Sequence, residues 1–261
     1  VTARALENAL TMTRVQIIFT RLALLVLVLG AWELLPRLGV VNALLLPPLS
    51  QVLATLADLL GRASVQEAVA VTALEVIVAF VIAVPLGAAA GIVIAESEYL
   101  SEIFKPILFY VFSIPKSIFL PMFILMFGIG FQQKVAYAAF TTGFVVLMSA
   151  TAAVESVRPD HILVARSYGA TQTQILWRVY VPSMLPFLLE TLRISMIFNF
   201  TGVMIAEMYA SRTGIGHLIA NWGENFQMPQ LFAGVIVLSA VAILFNEGVR
   251  ALEARCSTWR T

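Results

Sequence analysis

Six stretches of this chain stay apolar for about twenty residues or more, the length a helix needs to cross the hydrocarbon core of a bilayer. They are Val15 to Leu35, Ala68 to Ala95, Lys105 to Phe127, Val135 to Val154, Met184 to Ala210 and Leu231 to Val249. The runs are continuous, whereas a membrane barrel strand alternates apolar and polar residues. In lipid each backbone N–H and C=O must be satisfied within its own segment, which a helix does and an isolated strand does not. The expected fold is therefore all-α: one polytopic membrane domain over residues 1–261 with six transmembrane helices. Composition agrees. Charged residues make up 12% of the chain and hydrophobic ones 60%. That is about half the charge of an ordinary soluble domain, which argues against a water-soluble enzyme and against disorder. A net charge of +1 provides no basic field for nucleic acid. The single cysteine, Cys256, has no intrachain disulfide partner and fits no metal-ligand spacing.

Charge gives the expected orientation. Arg4, Arg14 and Arg21 surround the start of the first run, as in a signal peptide, but the apolar core is too long for one. It is expected to remain as a signal anchor. The sequence starts at Val1 rather than Met, which leaves room for residues ahead of it. Six spans place both termini on one side. Arg4, Arg14, Arg21, Lys105, Arg158, Arg166, Arg178, Arg193, Arg250, Arg255 and Arg260 share that side. Arg37, Arg62, Lys134 and Arg212 lie opposite, and Lys116 falls mid-membrane. The expectation is that both termini are cytoplasmic, where a lone Cys256 stays reduced.

Three connecting segments carry signals. Pro47-Pro48 followed by Ser50 and Gln51 to Leu56 reads as a stop, a cap and a short amphipathic helix at the outer surface. The outer segment Ser211 to Gln230 holds Thr213-Gly214-Ile215-Gly216, read as a turn, and Trp222, read as an interface anchor. The cytoplasmic segment 155–183 is too polar to span and too apolar for a solvated loop. Pro159 and Asp160 open a helix that continues through Ile162, Leu163, Ala165 and Arg166, and Gly169 closes it. Thr171 caps a second helix carrying Ile175, Leu176, Val179 and Tyr180, which Pro182 is expected to stop. Those apolar faces either pack on the chain's own membrane helices or dock into a partner.

The run Ala165-Arg166-Ser167-Tyr168-Gly169-Ala170, with nine residues between Gly169 and Val179-Tyr180-Val181-Pro182, resembles the "EAA" loop of ABC-importer permeases. The family pattern is E-A-A, three residues, G, nine residues, I-x-L-P. Leu163 and Val164 depart from its E-A part and leave the helix–Gly–helix shape intact. Further pieces follow in order. Leu46-Pro47-Pro48 is similar to the "LPxPxxV" stretch of permeases in the nitrate, sulfonate and taurine importer group. Ser113-Ile114-Pro115-Lys116 with Leu120-Pro121 and Phe127-Gly128-Ile129-Gly130 is similar to its "PK…LP…FGIG" signature. Ala206-Glu207 with Arg212-Gly214-Ile215-Gly216 is similar to its "AE…GLG" stretch.

The resemblance implies a type I ABC importer permease. It implies two permease subunits (a homodimer), a cytoplasmic ATPase dimer that receives the loops, and an extracytoplasmic solute-binding protein. The loop residues implied are Ala165, Arg166, Ser167, Tyr168, Gly169, Ala170, Thr171, Ile175 and Pro182. The solute class implied is a small, organic or inorganic, mostly anionic solute. The chain has three lysines, Lys105, Lys116 and Lys134, and none lies in a phosphate-binding G-x-x-x-x-G-K-[ST]. ATP and Mg therefore belong on a partner chain, and no catalytic, cofactor or metal residue is expected here. His161 and His217 stand far apart and read as polar interfacial residues. Within the membrane, Glu75, Lys116 and Glu207 either line the path or pair with one another, Lys116 joining Glu75 or Glu207. Glu190 and Arg193 are read as interfacial, on one helical face. Pro85, Pro106, Pro115 and Pro121 are expected to break helical hydrogen bonding, with the third span bent. Gly87-Ala88-Ala89-Ala90-Gly91 is a close-packing stripe. The rival readings are an ion-gradient-driven secondary transporter and a membrane assembly protein without transport.

Overall fold

The computed structural model describes residues 14–157 and 159–256, and every regular element among them is helical. Arg4, Arg158 and Arg260 of the charge sorting lie outside these residues. In chain order the helices are α1 (Arg14–Arg37), α2 (Leu49–Gly61), α3 (Ala63–Glu96), α4 (Glu98–Ser113), α5 (Leu120–Phe127), α6 (Phe131–Glu155), α7 (Pro159–Ser167), α8 (Gln172–Ile175), α9 (Val181–Ala210), α10 (Ile215–Glu224) and α11 (Met228–Cys256). A 3₁₀ turn, Lys116–Phe119, leads into α5, and a π-helical segment, Leu176–Tyr180, joins α8 to α9.

Helices α1, α3, α6, α9 and α11 are each long and apolar enough to cross a membrane. The expected third span is not one helix. α4 and the Lys116–Phe127 piece meet at 91°, the geometry of a broken sixth span or of a re-entrant loop. Pro115 causes the break. It drives Ile114 to extended backbone (φ −75°, ψ 130°), which ends α4 at Ser113. The other prolines do not break their helices. Pro85 and Pro106 sit inside α3 and α4, and Pro121 lies in the first turn of α5, where a missing N–H is no loss.

The centre of the bundle is α6, flanked by α3 and α9. A Cβ on Gly87 would come within 2.7 Å of the Gly143 carbonyl, and one on Gly91 within 2.5 Å of the Leu147 carbonyl. The small-residue stripe is thus the close-contact line of α3 on α6 within one chain. Asn199 of α9 is fully buried and ties the three helices together. Its Nδ2 donates to Val76 O at 2.7 Å, and its Oδ1 accepts from the Thr142 hydroxyl at 3.2 Å. Between helices in lipid such a bond contributes about 1 kcal/mol. Phe123 of α5 rests on Tyr137 and Phe140 of α6, with ring centroids 5.7 and 5.3 Å apart.

The periphery differs. None of the apolar window of α1 is buried. α1 is fastened near its C-terminal end, where Trp32 Nε1 donates to Pro47 O at 3.1 Å and Glu33 accepts from Ser50 N and Oγ, each at 2.9 Å. Ser50 is therefore not the cap of α2. The helix starts at Leu49 after Pro48, and the carboxylate serving its first turn comes from α1. α2 is amphipathic, as expected, and lays Val52 and Leu59 against its neighbours, chiefly α11. Trp222 is not an interface anchor either. It is buried in α10 against Gly234 of α11, where a Cβ would meet its ring at 2.7 Å.

Candidate functional site

The residues singled out in the sequence fall mainly at opposite ends of α6 and α9. At one end the chain leaves α6, forms the two-helix loop and enters α9. Gly169 closes α7 with φ +75°, a backbone that glycine adopts without strain. Gly169 N–H donates to Arg166 O at 2.9 Å and Ala170 N–H to Ala165 O at 3.1 Å, a Schellman closure. Thr171 then caps α8. Its hydroxyl accepts from Gln174 N at 3.3 Å, while Gln174 Oε1 accepts from Thr171 N at 2.9 Å. Ser167 Oγ donates to Leu163 O at 2.9 Å.

Pro182 does not stop the second helix. α8, the π segment and α9 run on without interruption. A proline removes one N–H donor and its ring presses on the carbonyl four residues back, and the wider π turn just before Pro182 relieves both. Part of the apolar surface packs on the chain's own helices and part is left uncovered. Ile162, Val179 and Tyr180 pack onto Ala153, Val154, Val157 and Met184, and Ile175 is buried. Leu163, Val164, Trp177 and Tyr168 stay exposed, Tyr168 at 89%. Arg166, Ser167 and Thr171 are exposed with them, and Ala165 and Ala170 are half-buried. A Cβ on Gly169 would point into open space.

At the other end the charges are hidden. Glu75 of α3, Lys134 of α6 and Glu207 of α9 are all fully buried. The partner of Glu75 is Lys134, not Lys116. Lys134, an outer-side residue in the charge sorting, lies in the first turn of α6 with no exposed surface. Its ammonium also donates to Thr213 O at 3.3 Å and Thr213 Oγ1 at 3.2 Å. Glu207 is satisfied differently. Its Oε1 accepts from the Thr72 hydroxyl at 2.6 Å and its Oε2 from Gly216 N–H at 2.7 Å. Ile215 N–H donates to Thr72 Oγ1 at 3.0 Å. The carboxylate thus sits at the N-terminus of α10, where free N–H groups and the helix dipole favour negative charge. Gly214 (φ +102°) and Gly216 pass so close that a Cβ on either would run into the Glu207 side chain. The Thr213-Gly214-Ile215-Gly216 run is therefore the start of α10, folded over a buried acid.

Lys116 pairs with neither glutamate. Its ammonium donates to Phe112 O at 2.7 Å, Ile114 O at 2.9 Å and Val111 O at 3.1 Å, and lies 4.9 Å from the Phe112 ring centroid. Three protons meet three carbonyls at the end of α4, so Lys116 caps a broken helix end. Sequence reasoning missed Lys134, Thr72 and Asn199. The available signal was a lysine directly ahead of the apolar run Val135 to Val154. A cavity of about 190 Å³ lies beside the buried charges, lined by Ser64, Glu67, Arg212, Thr213 and His217 among others. Among the described residues no group of three His, Cys, Asp or Glu side chains is placed to hold a metal.

Residues 83–257 match the family described as "Binding-protein-dependent transport system inner membrane component". The chain belongs to this family. The taurine transport system permease protein TauC of Escherichia coli K12 is 31% identical over 90% of this chain and 87% of its own length. The putative aliphatic sulfonates transport permease protein SsuC of Bacillus subtilis 168 is 26% identical over 89% of this chain and 84% of its own. The fold is that of the permease in the inward-facing MetNI methionine ABC transporter, with a TM-score of 0.53 at 22% identity over 72% of this chain and 94% of that chain. The present permease is accordingly an ABC importer transmembrane subunit of the inner membrane and not an enzyme. Neither rival reading stands against that membership.

Proposed function

We propose that this permease and a second copy form the path for a small anionic solute, and that each copy seats its α7–α8 loop in a cytoplasmic ATPase. One observation carries the reading: Leu163, Val164, Tyr168 and Trp177 are exposed on a loop whose backbone is closed on both sides of Gly169. A loop this well determined that leaves large apolar side chains uncovered is built to be covered by a partner. The loop end and both termini face the cytoplasm. The α10 end faces out and receives solute from a binding protein. The relatives named for taurine and aliphatic sulfonates support a sulfonate-like anion. ATP and Mg reside on the ATPase.

The mechanism is alternating access. Nucleotide binding draws the two ATPases together, each moves the loop it holds, and the continuous α8–α9 rod carries that displacement into the bundle. The ATPases shift the permease because they bind its two states with different affinity. Gly169→Trp places a bulky group into open space at the docking surface, but at a φ of +75° that strains the α7–α8 turn, so thermal stability in detergent is measured beside uptake to separate blocked docking from misfolding. In proteoliposomes, ATP-driven uptake is expected to fall at least tenfold. Unchanged coupled uptake in Gly169→Trp overturns the docking role.

A further inference from the structure

Three ionisable side chains meet fully buried at the α10 end, and their charges do not balance. One cation, Lys134, acts on both Glu75 and Glu207. With all three ionised the cluster holds one negative charge in excess, and an uncompensated ion in the interior is far costlier than a neutral acid. The N-terminus of α10 supplies only about half an elementary charge against it. Glu67 of α3 and Arg212 lie on the wall of the cavity beside the cluster, both exposed and opposite in sign. His217 of α10 lines the same cavity.

The hydrogen bonds around Thr72 show the same imbalance. Thr72 Oγ1 lies 2.6 Å from Glu207 Oε1, 3.1 Å from Ala68 O and 3.0 Å from Ile215 N. Ile215 N–H is a donor to it. While Glu207 is ionised the other two neighbours are both acceptors, and the hydroxyl has a single proton to give. One proton added to Glu207 Oε1 removes both deficits. The short contact then runs from Glu207 to Thr72, the Thr72 hydroxyl turns to Ala68 O, and Glu207 Oε2 keeps the N–H of Gly216 at 2.7 Å. Glu75 has no such arrangement. Beyond its ion pair with Lys134, neither of its oxygens has a hydrogen-bond partner. We propose that Glu207 is a proton-binding site, a neutral carboxylic acid at neutral pH that donates to Thr72 and so clasps α10 to α3 and α9. Its proton comes from water in the cavity. Gly214 lines that cavity on one side and lies against Glu207 Oε1 on the other, with no side chain between. Proton release returns Thr72 to two competing acceptors and loosens the clasp, so the first turn of α10 answers to the pH at that cavity.

Infrared spectroscopy of the purified permease tests the assignment without the ATPase. A protonated carboxyl group has a carbonyl band separate from those of carboxylates and of the amide backbone. Among the described residues Glu75 and Glu207 are the buried acids, so at neutral pH such a band reports on this pair. The unmodified permease is expected to show it and Glu207→Gln to lose it. Thr72→Ala is expected to move it to higher frequency, because the acid loses the acceptor of its hydrogen bond. Absence of the band in the unmodified permease overturns the proposal, as does its survival in Glu207→Gln. A band that stays in place in Thr72→Ala puts the proton on Glu75 and overturns the assignment too. A second measurement uses Glu207→Gln alone, whose amide donates to Thr72 and accepts from Gly216 as the neutral acid does. The folded permease holds a proton on Glu207 that the unfolded chain has released above about pH 5, so its folding constant falls as pH rises. From about pH 5 to 7 that constant is expected to fall about tenfold more per pH unit in the unmodified permease than in Glu207→Gln. Equal slopes overturn the proposal.

Discussion

The two ends of α6 and α9 are built on opposite rules. At the α10 end three ionisable side chains are fully buried and each has a partner inside the chain: Glu75 with Lys134, Lys134 with Thr213, Glu207 with Thr72 and Gly216. At the loop end Leu163, Val164, Tyr168 and Trp177 are exposed although all are apolar. Each arrangement inverts the usual distribution, and each has its own reason. Buried charges met inside the chain hold helices in one register, and losing one member of the Glu75–Lys134 pair leaves the other charge without compensation. Exposed apolar side chains on a rigid loop add little to the fold of one chain. They gain their value when something else covers them.

That contrast predicts where substitutions damage the protein itself and where they damage only its work. Lys134→Met strands the Glu75 carboxylate and is expected to destabilise the permease by about 3–5 kcal/mol, read as lost thermal stability in detergent. The double variant Lys134→Met/Glu75→Leu should recover most of that loss, because a buried pair exchanged for apolar groups of similar size is often neutral. No recovery would mean that Lys134 acts mainly through Thr213. Gly214→Ala comes next, at about 2–3 kcal/mol, since it adds backbone strain at φ +102° and forces the Glu207 carboxylate aside. Lys116→Met removes the cap of α4 and should cost about 1 kcal/mol. Uptake of an anionic solute that collapses in Lys116→Met while stability holds would move Lys116 from helix cap to solute site. The smallest stability change, under about 0.5 kcal/mol, belongs to Leu163→Asp/Tyr168→Asp. Yet that pair should lower ATPase recovery on the purified permease by about tenfold or more. If it unfolds the permease instead, the loop end is as internally committed as the α10 end and the contrast disappears.

The loop was legible in the sequence because its signals are local. A C′ glycine, a capping threonine and apolar residues at helical spacing act within a few residues of one another, and Gly169 and Thr171 do what those signals say. Pro182 misled for a complementary reason. Its effect depends on whether the preceding turn can widen, and the π segment Leu176–Tyr180 does so. The charges misled because their partners are distant. Glu75 and Lys134 are far apart along the chain, and nothing local distinguishes a lysine entering a buried pair from one leaving the membrane. Lys116 looked like the mid-membrane cation in need of an acid, but the break at Pro115 supplied it with three free carbonyls. Asn199 is likewise silent in sequence, since its partners Val76 and Thr142 lie on two other helices.

From its residues alone this chain is fixed as a helical membrane protein, with its span positions and its elbow around Gly169, because the length of an apolar run and the chemistry of a turn are set by neighbouring residues. Tertiary structure alone decided which charges meet and which proline bends its helix. Those outcomes depend on what lies across a helix interface, at distances along the chain that no local pattern spans.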